Sequence, residues 1–84
     1  MNLKEKVVVI TGSSRGFGYA IAESMLEAGA TVAITGRSQQ AVDGALTSLQ
    51  PKGRVSGFVM DVREERQVYK LVGDVVEEFG RIDI

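Results

Sequence analysis

Cysteine and histidine are both missing from these 84 residues. The first absence excludes disulfides and thiolate metal sites. The second removes the usual nitrogen ligand of a transition metal, so no metal site is expected, and it removes any imidazole base. An excess of charge is missing too: ten Lys and Arg against eleven Asp and Glu leave a formal net charge of −1. That balance argues against a nucleic acid or a membrane surface recruited through bulk charge. No apolar run reaches membrane-spanning length, and Met1 to Lys6 lead straight into the first apolar block. With no disulfide to require an oxidising compartment, a cytoplasmic protein is expected. The length allows one small domain, residues 1–84. A chain of this size buries roughly 60–65% of its unfolded surface, so a ligand or partner would add needed stability.

What is present is organised around Lys6-Val7-Val8-Val9-Ile10-Thr11-Gly12-Ser13-Ser14-Arg15-Gly16-Phe17-Gly18. A continuous β-branched block, rather than an alternating one, reads as a buried parallel strand. It runs into a glycine-rich turn that opens a helix near Gly16. Gly12 permits the sharp turn off the strand, Gly16 leaves room for a pyrophosphate to approach the backbone, and Gly18 lets the helix pack closely on the strand. The helix N-terminus adds free N–H groups and a positive dipole end, which together make an anion site. By itself a Gly-x-x-x-Gly-x-Gly spacing is a weak signal, equally at home in an ordinary strand-to-helix turn. Strand, turn and helix in this order give it weight.

The first helix is expected from Gly16 to Ala28, with Ile21, Met25 and Ala28 on its buried face and Gly29 as its stop. Thr31–Thr35 reads as a second buried strand ending at Gly36-Arg37. Ser38 can cap a second helix, whose Val42, Ala45, Leu46 and Leu49 form an apolar stripe broken at Gln50-Pro51-Lys52-Gly53. Val55–Met60 is the third strand. A third helix, Glu64 to Phe79, carries the cleanest stripe: Val68, Leu71, Val72, Val75, Val76 and Phe79. Gly80 ends it, and Arg81-Ile82-Asp83-Ile84 reads as a fourth strand just beginning. Three strand–helix alternations predict a three-layer α/β fold with right-handed crossovers. The parallel sheet has order 3-2-1 plus a strand-4 stub, the first half of a Rossmann-like dinucleotide fold. Ligands of such folds lie at the carboxyl ends of the strands.

Arg37 follows the second strand, where NAD-binding sheets place an acid for the ribose 2′-hydroxyl. An acid would repel a 2′-phosphate, whereas a guanidinium pairs with one through charge-assisted bonds worth about 1.5–3 kcal/mol each. Arg15, in the glycine loop, can approach the same phosphate, with Ser13 or Ser14 as hydroxyl donors. The plain alternative is two solvated surface arginines. Asp61 follows the third strand where an adenine would lie, with Val62 as an apolar contact and backbone donor. Its plain alternative is capping of the third helix, since Glu64 lies three residues on, and the two roles are compatible. Thr11 reads as a structural hydroxyl. Phe17 either packs under the loop or lies beside the ligand.

No catalytic constellation is found. Tyr19 and Tyr69 have Glu23 and Gly73, not lysine, four residues on, and Lys70 projects away from its neighbour Tyr69. The paired acids Glu64-Glu65 and Glu77-Glu78 read as a solvated helix face.

The phrases Thr11–Gly18, Gly36-Arg37, Asp61-Val62 and Gly80–Ile84 together resemble the N-terminal third of the short-chain dehydrogenase/reductase family, which includes 3-oxoacyl-carrier-protein reductases. The resemblance implies an NADP-dependent oxidoreductase acting on a carbonyl or an alcohol. It implies that Gly12, Gly16 and Gly18, with Ser13, Ser14 and Phe17 around them, hold the pyrophosphate side. Arg15 and Arg37 would hold the 2′-phosphate, and Asp61 and Val62 the adenine. The family's catalytic Ser, its Tyr-x-x-x-Lys pair and its Asn-Asn-Ala-Gly motif have no match here, so the chain alone is expected to be inactive. A competing expectation is a self-associating structural unit, dimerising through an unpaired strand-1 edge. A Rossmann-like methyltransferase is disfavoured by Arg37 at the position of a ribose-binding acid.

Overall fold

In a computed structural model that describes residues 2–84, the β-branched block Val7–Ile10 forms β1. It is followed by α1 (Gly16–Glu27), β2 (Thr31–Gly36), α2 (Gln39–Leu49), a short 3-10 turn (Gln50–Lys52), β3 (Val55–Val59) and α3 (Glu65–Phe79). Both strand pairs are parallel, Val7 standing opposite Thr31 and Val32 opposite Val55, so β2 is central and the expected order 3-2-1 holds. Ser38 caps α2 as expected, its hydroxyl accepting from the Ala41 N–H at 3.2 Å. Gly80 closes α3 in the left-handed region at φ 85°.

The sheet divides two cores. On one face Val8, Val32 and Ile34 pack with Ala22 and Leu26 of α1 and with Ala45 and Leu49 of α2. On the other, Val7 and Ala33 pack with Leu71 and Val75 of α3. Ile34 and Leu49 are wholly buried, each burial of this kind contributing about 1.5–3 kcal/mol. Strands sandwiched in this way need apolar side chains at every position, which is why the blocks do not alternate.

Two expectations are corrected. The inward face of α1 is Ala22 and Leu26, with the expected Met25 packed against the same core, while Ile21 is 47% exposed. Gly18, Ala22 and Leu26 lie at successive i+4 positions, and the close approach at Gly18 turns this line toward the sheet. The β1 edge is also not bare. The Asp83 N–H donates to the Val7 carbonyl at 2.8 Å and the Val9 N–H donates to the Ile84 carbonyl at 2.7 Å. The Val7 N–H is taken by Asp83 Oδ2 at 2.8 Å. The strand-4 stub therefore lies along β1 on the side away from β2, and strand-1 edge pairing between copies would have to displace it. Met1 lies outside the described residues. Among those described, no helix is long and apolar enough to cross a membrane.

Candidate cofactor site

The turn from β1 to α1 is shaped by backbone demands that only glycine meets cheaply. Gly12 and Gly16 have φ of +60° and +64°, and among the described residues no atom beyond the adjoining chain lies within 4 Å of the Cβ either would carry. The space before them is open to a ligand. Gly18 is the reverse case: a Cβ there would stand 2.5 Å from the Gly12 carbonyl oxygen, a backbone atom with no room to move. The roles expected from the spacing, turn and open approach for the first two glycines and close packing for the third, match this geometry. The first-turn N–H groups of α1 have no helical acceptor and Arg15 supplies no side-chain cap, so they remain available to an anion.

The two loop serines separate into different jobs. Ser13 is wholly buried, its hydroxyl donating to the Ile10 carbonyl at 2.6 Å and accepting from the Thr35 N–H at 2.8 Å. Thr35 reciprocates, its hydroxyl accepting from the Gly12 N–H at 3.1 Å. Ser13 thus ties the loop to the tip of β2 and is committed to backbone. The structural hydroxyls are Ser13 and Thr35, whereas Thr11 is exposed. Thr35 was not singled out from the sequence. A polar residue closing an otherwise apolar strand beside a glycine loop was the available signal.

Ser14 faces outward into a cleft of about 380 Å³ at the carboxyl ends of the strands. Gly12, Ser14, Arg15, Gly36, Arg37 and Val62 share its lining with Met60 and Ser38. The two arginines thus both line one cleft, each exposed, and no carboxylate is among the described lining residues. Phe17 packs under nothing, being 91% exposed.

Asp61 is placed differently from its neighbour Val62. The Arg63 Nε donates to Asp61 Oδ1 at 3.0 Å and its terminal nitrogen to Oδ2 at 2.8 Å. The Arg63 backbone N–H also donates to Oδ1 at 3.0 Å. This bidentate pair holds the Asp61 carboxyl far below the usual carboxylate range, the guanidinium bonds first and the backbone bond second. The carboxylate closes the turn ahead of α3 without capping the helix, whose N-cap is Glu64. Arg63 was missed from the sequence; the Asp-x-Arg spacing at a strand exit was its only trace.

A strand-tip cleft walled by a glycine turn, a helix N-terminus and two arginines suits a phosphorylated nucleotide, and comparison with known proteins agrees. The family model described as short chain dehydrogenase matches residues 6–84. The chain belongs to the short-chain dehydrogenase family. A 3alpha-hydroxysteroid dehydrogenase of Mediterraneibacter gnavus is 39% identical, all of this chain covering 35% of that protein. A meso-2,3-butanediol dehydrogenase of Serratia marcescens is 40% identical, with 33% of its length covered. The crystal structure of L-sorbose reductase from Gluconobacter frateurii, complexed with NADPH and L-sorbose, superposes with a TM-score of 0.93 at 38% identity. It is matched over 99% of this chain and 32% of that one. This short-chain dehydrogenase chain therefore spans about a third of the length of the relatives it matches. Its tyrosines lie away from the cleft lining: Tyr19 packs on the α1 core and Tyr69 is 69% exposed on α3.

Proposed function

We propose that this chain is the NADP(H)-binding part of a short-chain dehydrogenase that reduces a carbonyl or oxidises an alcohol. The observation that carries the reading is that Arg15 and Arg37 line a single cleft. The residues fit the group. Open space before Gly12 and Gly16 and the free amides of α1 suit a pyrophosphate, and two guanidinium groups suit a 2′-phosphate. Ser14 offers a hydroxyl at the same end, and Gly18 seats α1 against the loop that carries the amides. Val62, 61% exposed, offers an apolar wall and a backbone donor to adenine. Asp61 lies outside the cleft lining, held by Arg63, and the exposed Phe17 is free to lie beside the ligand. Ser13 acts indirectly, holding the loop.

A similar protein, L-sorbose reductase, was solved with NADPH, which fits a nicotinamide cofactor here. Bound, the nicotinamide would supply the hydride. This chain's residues bind the adenosine end and orient the rest outward from the strand tips. The family's Tyr-x-x-x-Lys pair has no match here, so no turnover is expected from the chain alone. Calorimetric titration of the folded chain with NADPH and NADH tests the reading. A clear preference for NADPH is expected; equal or absent binding would remove the cofactor assignment.

A further inference from the structure

Arg63 lies outside the cleft lining, yet its position bears on how that cleft selects its ligand. The Met60 N–H donates to the Gly36 carbonyl at 2.8 Å, so the tips of β2 and β3 are locked side by side. Arg37 and Asp61 are the next residues along from that bonded pair, so they leave adjacent strand tips. A carboxylate free to turn there would pair with Arg37 and compete with any phosphate for it. It is not free, because Arg63 engages both of its oxygens.

We propose that Arg63 is a positioning residue for cofactor specificity: by clamping the Asp61 carboxylate it keeps that acid off Arg37 and leaves Arg37 open to a 2′-phosphate. The inference rests on the cofactor reading above and adds a residue to it. Arg63 acts through Asp61 and is not itself among the lining residues. Its own side chain is 69% exposed, so replacing it removes a surface group and not a packing element. The Arg63 N–H bond to Asp61 Oδ1 does not depend on the arginine side chain, so Arg63→Ala keeps the turn in shape and frees Oδ2, the oxygen that could turn to Arg37.

The test uses two small probes that need only the adenosine end, adenosine 2′,5′-bisphosphate and adenosine 5′-monophosphate, titrated into the folded 84-residue chain by calorimetry. The parent chain reads the cofactor assignment. If it shows no preference for the bisphosphate, that assignment fails, and this proposal with it. Given a preference, Arg63→Ala is expected to weaken bisphosphate binding about fivefold, the scale of one unit charge a few ångströms away in water. Monophosphate binding should hold, so the ratio falls. Adding Asp61→Asn to Arg63→Ala should restore the ratio, and Arg63→Lys should retain part of it. Equal weakening of both probes, or a double variant that stays at the low ratio, would overturn the proposal while leaving the cofactor reading intact. Circular dichroism of each variant establishes that the chain is folded; should Arg63→Ala unfold, Arg63→Gln against its Asp61→Asn double variant gives the same ratio test.

Discussion

Two turns face the same cleft from the strands on either side of β2, and they are held in opposite ways. The loop from β1 to α1 is anchored from beneath, through the wholly buried Ser13 and the nearly buried Thr35. The turn from β3 to α3 is anchored from outside, through the exposed Asp61–Arg63 pair. Buried neutral hydrogen bonds have no water to replace them, so the first turn is a fixed platform. An exposed ion pair competes with solvent and salt, so the second can be adjusted with little structural consequence. On the proposed reading, the first turn would take the pyrophosphate and the second would tune the preference.

The comparison is broken most severely at Gly18. Gly18→Val should cost about 2–3 kcal/mol or more by urea denaturation, because a Cβ would strike the Gly12 carbonyl and prise α1 from the loop. Next, Ser13→Ala should cost about 1–3 kcal/mol by leaving the buried Thr35 N–H and an Ile10 lone pair unpaired. Ser14→Ala, one residue on, should leave the midpoint unchanged. Arg37→Ala should weaken NADPH about tenfold or more, from the loss of about 1.5–3 kcal/mol of charge-assisted bonding, and leave NADH unaffected in calorimetry. Arg63→Ala should leave the urea midpoint where it is, in contrast with Ser13→Ala. A large loss there would show that the outer turn is structural after all.

The smallest expected effect concerns acid. Asp83 is held below the usual carboxylate range by the Arg81 guanidinium and then by the Val7 N–H. A carboxyl depressed in the folded state contributes its stability above its unfolded value and loses it as pH falls through the folded value. The stub should therefore stay on β1 through the ordinary carboxylate range and loosen only in stronger acid. The Val7 amide resonance reads this directly; movement already at ordinary carboxylate pH would contradict it.

The elements were legible because each was written redundantly: β-branched blocks for strands, the Leu71–Val75 stripe for α3, Ser38 and Gly80 for helix ends. The face of α1 was not. Ile21 is the larger apolar residue, and periodicity favours it, but the sheet accepts Ala22 because Gly18 brings the helix in close. In the site, the glycines and both arginines were readable from spacing. The split between Ser13 and Ser14 was not, since adjacent identical side chains differ only in which way the folded loop points them.

The local code alone determined the layered α/β architecture, the glycine turn and the positive charge of the arginines at the strand tips. These depend on backbone preference and on charge, which a residue carries wherever it goes. Only the tertiary structure decided that Arg15 and Arg37 share one cleft, that Ser13 turns inward, that residues 83 and 84 cover the β1 edge, and that Asp61 answers to Arg63. Each of those is a relation between groups, set by strand register and by the close packing of α1, and no single stretch of chain contains it.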